Sequence, residues 1–187
     1  MGFLKRTKRD DSALYGAAAS GSFEEFTATY DPSKARLDFS AASLLGLALG
    51  NGDPAARVAI ATRLLDDGAD ATAHGNELHV LLSGTAHDFD AEPALLRRMI
   101  EAGADVNRVV PRLGAPLEAL AGVFKFTDAT LAPFYDVFFE RPDLDLLHEG
   151  AFKKSVYASI KQISAKRADL LARSEAYLTS RGIPIPE

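Results

Sequence analysis

Apolar residues recur at helical spacing in three stretches of the chain. Between Pro54 and Asp67 the set is Val58, Ala61, Leu64 and Leu65; from Pro93 to Ala102 it is Leu95, Leu96, Met99 and Ile100; from Pro133 it is Phe134, Val137 and Phe138. Each set lies on one face of an α-helix, which predicts amphipathic helices packed on a core from one side. Pro54, Pro93 and Pro133 stand at the front of these patterns. A first-turn proline fits there because the N–H it lacks has no intrahelical partner.

A second apolar phrase recurs along the chain, as Ser12-Ala13-Leu14, Ser43-Leu44-Leu45, Asn76-Glu77-Leu78 and Ala115-Pro116-Leu117, each followed by small or apolar residues. The leucine anchors are 31, 33 and 39 residues apart. Ser12, Ser43 and Asn76 can cap a helix by accepting from an orphan N–H of its first turn. Ala115 cannot, but Pro116 suits the first helical position. Two of the patterned helices also end alike, in Leu64-Leu65-Asp66-Asp67-Gly68-Ala69-Asp70 and Met99-Ile100-Glu101-Ala102-Gly103-Ala104-Asp105-Val106-Asn107. Glycine just past a helix end adopts positive φ without a Cβ clash, so Gly68 and Gly103, 35 residues apart, are predicted stop signals.

The capped opening with its leucine, the small residues behind it and the closing Gly-Ala-Asp-Val-Asn resemble the ankyrin repeat pattern over roughly residues 12–150. The opening histidine of that pattern is kept only at His79, with Tyr15, Gly46 and Glu118 at the other three places. The resemblance implies an all-α, ankyrin-type helical solenoid of four to five helix-turn-helix repeats with short or absent β-hairpin turns. The repeats fall near 12–42, 43–75, 76–114 and 115–149, with a closing helical cap at 150–187 and a basic segment at 1–11. The cap keeps Val156, Ile160, Ile163, Leu170, Leu171, Tyr177 and Leu178 at helical spacing but lacks the closing phrase, as suits a terminal repeat with one side facing water. Residues 83–92 read as an insertion at one edge. The family implies protein partners, no cofactor and a monomer. The turn positions expected to touch a partner are Asp70, His74, Asp105, Arg108, Arg112 and Asp143.

With 187 residues and 47% apolar content, the chain is long enough for one domain with a continuous core. It has no cysteine, hence no disulfide, and no apolar run long enough for a membrane span, so a cytoplasmic location is expected. Charge is uneven. The net charge is −5, yet residues 1–9 carry four basic and no acidic groups, and residues 153–187 carry seven basic and three acidic, so the span between them holds 10 basic against 23 acidic groups. Acidic residues recur at the turns: Asp66, Asp67 and Asp70; Glu101 and Asp105; Glu140, Asp143, Asp145 and Glu149. Stacked turns would align them into a ladder that repels nucleic acid and steers a basic protein. A soluble acidic chain of this kind would suit a bacterial immunity protein or antitoxin covering a basic toxin.

Signals for catalysis are thin, with no phosphate-binding glycine loop, nucleophile elbow or thiol nucleophile. The alternative to a binding protein is a small metal-dependent hydrolase using His74, Glu77, His79, His87, Asp88 and Asp90, since imidazole with carboxylate is a zinc-type ligand set. His74 and His79 are five apart, which does not place them on one helical face, and His79 coincides with the repeat histidine. The expectation is therefore a non-enzymatic interaction module.

Overall fold

The computed structural model of the chain describes residues 7–39 and 41–186. Residues 1–6 of the basic N-terminal segment lie outside them. Among the described residues ten α-helices form five successive pairs: α1 (Thr7–Ser20) with α2 (Phe23–Thr29), α3 (Leu44–Leu49) with α4 (Pro54–Asp66), α5 (Glu77–Leu82) with α6 (Glu92–Glu101), α7 (Pro116–Ala121) with α8 (Asp128–Phe139), and α9 (Val156–Gln162) with α10 (Ala168–Ser180). The first helices pack in a row, α1 on α3, then α5, α7 and α9. The second helices form another, α2 on α4, then α6, α8 and α10.

The core lies between these two rows. Leu14, Leu45, Leu78, Leu117 and Ile160 are buried from the first row, and Phe26, Ile60, Leu64, Leu96, Phe134, Phe138, Leu170 and Leu178 from the second. The repeated leucine is thus buried in each of the first four first helices, and Ile160 is buried in the fifth. Gly68 and Gly103 hold φ of 85° and 104°. Behind them Ala69 N donates to Leu64 O and Ala104 N to Met99 O, which satisfies carbonyls left open at the helix end. Gly182 closes α10 in the same way, with φ of 68° and Ile183 N donating to Leu178 O. Residues 150–187 therefore hold a fifth helix pair.

Several local expectations are corrected. α1 begins at Thr7, so Ser12 lies inside a helix and does not cap one. Ser43 caps α3 as expected, its hydroxyl accepting from Gly46 N at 3.0 Å, whereas Asn76 makes no side-chain cap bond. Pro133 is not a first-turn proline: α8 starts at Asp128 behind the cap Thr127, and Pro133 sits within it. A threonine cap and five helical residues ahead of Pro133 start the helix earlier than the proline alone suggests. The β-structure in the turns between pairs is short, as expected. Strands β1 (Asp38–Phe39) and β2 (Ala42–Ser43) form a hairpin, and single bridges join Val110 to Gly114 and Glu149 to Ser155.

Candidate functional site

Four loops join one pair to the next, at 30–43, 67–76, 102–115 and 140–155. The same local turn recurs in all of them. Asp31, Asp70, Asp105 and Asp145 each accept, through Oδ1, from the backbone N–H two residues on, at Ser33, Thr72, Asn107 and Leu147. Such turns are the ordinary use of Asp at the start of a loop. Hydrogen bonds from the Thr72 hydroxyl and N–H hold the Asp70 carboxyl below the usual range, and Arg141 does the same for Asp143. Asp70 and Asp143 therefore make bonds within their loops while keeping their charge.

The loops are tied to one another. His74 Nε2 lies 2.7 Å from Asp38 Oδ1 of the first loop. Arg108 of the third loop packs its guanidinium against Gly75 of the second. Asn107 Nδ2 donates to Asp143 O and its Oδ1 accepts from Asp145 N, joining the third loop to the fourth. His79 Nε2 lies 2.9 Å from Gly114 O, and Glu118, at the corresponding place one pair later, accepts from Ala115 N and Ala151 N. Asp70, Asp105, Arg108, Arg112 and Asp143 are exposed along this edge and His74 is half-buried. The structure thus places all six expected contact residues on the inter-pair loops.

The cluster that the alternative, hydrolase reading would need is not assembled among the described residues. His74 faces Asp38, His79 faces Gly114, and Asp88 caps the next turn through Asp90 N and Ala91 N. His87 Nδ1 meets Glu92 Oε2 at 2.5 Å, with both side chains fully buried. Among the described residues no group of three or more His, Asp or Glu side chains is placed to hold a metal ion. The 83–92 insertion instead docks onto its neighbours. Glu92 Oε1 pairs with buried Arg57 at 2.5 Å, Arg57 also donates to Ala86 O and Asn51 O, and Asn51 donates in turn to Ala18 O and Gly21 O. His87 packs among Phe89, Phe126 and Phe134. At the far end Arg167 donates to Ala121 O, Val123 O and Phe126 O. The edge opposite the inter-pair loops is thus closed by buried polar staples.

A cavity of about 410 Å³ opens between the third and fourth loops against α7 and α9. Sequence reading missed it, apart from Arg112. Leu113, Phe124 and Phe152 on its wall are 41%, 56% and 80% exposed. Of the eight large apolar side chains exposed among the described residues, these three line the cavity, and Val109 and Leu147 lie on the same two loops. All three non-glycine residues with positive φ among the described residues, Arg112 at 71°, Phe152 at 54° and Lys153 at 58°, are there as well. Arg112 follows Pro111 in a turn closed by Leu113 N to Val110 O, a place where glycine or asparagine is usual. Phe152 and Lys153 are the central pair of the turn closed by Lys154 N to Ala151 O, where Asn-Gly is the ordinary choice.

No protein-family model and no curated protein matches the sequence. Among the described residues no helix is long and apolar enough to cross a membrane. The fold is similar to a crystal structure of a functionally unknown protein from Leptotrichia buccalis C-1013-b, with a TM-score of 0.70, 19% identity, and coverage of 95% of this chain and 100% of that one. At that identity the likeness is one of fold.

Proposed function

We propose that the chain is an ankyrin-type interaction module that binds a basic protein along its inter-pair loops, as a toxin-neutralising protein or another inhibitor would. The observation that carries this reading is the tying of each loop to the next, through His74 to Asp38, Arg108 over Gly75, and Asn107 to the backbone of 143 and 145. A surface held in place before contact loses little conformational freedom on binding, which raises affinity at a given area. The recurrent helix pairs, the leucine anchors and the Asn107 bonds to the next loop support the ankyrin reading. The exposed carboxylates of Asp70, Asp105 and Asp145 supply charge that steers a cationic partner.

The turns also supply a clean probe. An asparagine side chain can still accept from the N–H two residues on, so D70N, D105N and D145N remove three charges and keep three turns. Tagged wild-type protein should retain a basic partner at low salt and lose it at about 0.5 M, where charges more than a few ångströms apart are screened. With that partner purified, the triple variant should bind more weakly and with a flatter salt dependence. Equal binding by the two proteins would remove the acidic edge from the reading.

A further inference from the structure

We infer that the cavity along α7 and α9, bordered by the third and fourth loops, is a second recognition site beside the acidic turns, which takes a peptide segment of an acidic partner presenting one large apolar side chain between carboxylates. Three independent features coincide there. The walls are exposed apolar side chains, Leu113, Phe124 and Phe152, around a volume of about 410 Å³. That is within the roughly 300–1,000 Å³ of clefts that bind compact ligands and ample for one aromatic side chain.

The second feature is charge. Arg112 and Lys154 line the cavity, with Lys153 exposed next to them; among the described residues Arg112 and Lys153 have no ion pair or side-chain hydrogen bond, and Lys154 reaches across to Gln162 with Nζ 2.6 Å from Oε1. The acidic group at the cavity, Glu118, is 9% exposed and accepts from the backbone N–H of Ala115 and Ala151. The free charge at the mouth is therefore positive, and it complements carboxylates on either side of an inserted apolar group. Residues 153–187 continue that sign, with seven basic against three acidic groups.

The third feature is strain. At Arg112, Phe152 and Lys153 the backbone occupies the left-handed region with side chains that disfavour it. Glycine or asparagine would relieve each turn, yet Arg112 and Phe152 supply the cavity with a cation and an apolar wall, and Lys153 stands between the lining residues Phe152 and Lys154. Phe152 contributes almost nothing to the core in return, being 80% exposed.

The chain has no tryptophan, so a tryptophan peptide reports on binding without background. The probe is a blocked pentapeptide with tryptophan between two pairs of glutamates, beside a control with lysines in place of the glutamates. Wild-type protein should shift the emission of the acidic peptide to the blue in a saturable way and leave the lysine peptide unshifted. The double variant Phe152→Asn with Lys153→Gly should weaken that binding about tenfold or more while raising the melting temperature, because it relaxes the turn. A purely structural role for these residues predicts the reverse, a lower melting temperature. The D70N, D105N and D145N variant should bind the acidic peptide as well as wild type or better, which separates this site from the acidic edge. The inference is overturned if the acidic peptide shows no saturable shift at millimolar protein, if the lysine peptide binds equally, or if the double variant binds as wild type does.

Discussion

Phe152 and Lys153 show how a single turn can run against local preference. Two consecutive left-handed residues with side chains cost on the order of 1–2 kcal/mol each relative to residues suited to that region. Phe152→Asn with Lys153→Gly is therefore expected to raise stability by about 1–2 kcal/mol, read from urea unfolding. Glu118 is the opposite case. Its carboxylate is the acceptor for Ala115 N and Ala151 N, so Glu118→Ala strands two backbone donors and should cost about 2–4 kcal/mol. His79 gives a pH dependence whose sign follows from burial. Desolvation lowers its pKa from 6.5 despite the Gly114 carbonyl that favours the charged form. The unfolded chain then takes up the proton first, so the His79 contribution is complete above pH 6.5 and is lost as pH falls toward the lowered folded value. His79→Gln should flatten the stability profile between about pH 7.5 and pH 5.5 relative to wild type.

Among the elements, the helix stops were legible and some of the starts were not. Gly68 and Gly103 could be read because a left-handed position after a helix leaves glycine as the ordinary solution, and Gly182, four residues after Leu178 as Gly68 is after Leu64, carried the same signal. The start of α8 was misread because Pro133 fits a first turn locally, while Thr127 and the residues behind it settle the helix earlier. An interior proline removes one helical hydrogen bond and crowds the carbonyl four residues back. Pro133→Ala should therefore stabilise α8, by about 1–3 kcal/mol, visible as a higher melting temperature. The docking of the insertion was illegible for a different reason. Arg57 and Glu92 are 35 residues apart, and nothing in their spacing marks them as partners. Because the pair is buried, Arg57→Met removes the guanidinium that faces Glu92 Oε1 and should cost about 3–5 kcal/mol.

At the scale of the whole molecule, the two edges of the helix stack differ in how they are bonded. One is closed by Asn51, Arg57, Glu92 and Arg167, which bond from pair to pair out of water. The other presents loops whose bonds to each other leave charges and apolar groups facing outward. The position of the second edge was legible, since aligned turns follow from repeats of nearly constant length, and all six expected contact residues lie along it. The cavity was not, because its walls come from residues such as Leu113, Phe124 and Phe152 that belong to no repeated phrase and meet only when α7 and α9 pack side by side. The central claim is that partners meet the inter-pair loops, and the most direct measurement is hydrogen exchange on the protein alone and with the basic partner retained at low salt. Slower exchange across 67–76, 102–115 and 140–155, with α4 and α6 unchanged, is the predicted result. Protection confined to those second helices, with the loops exchanging as before, would contradict it.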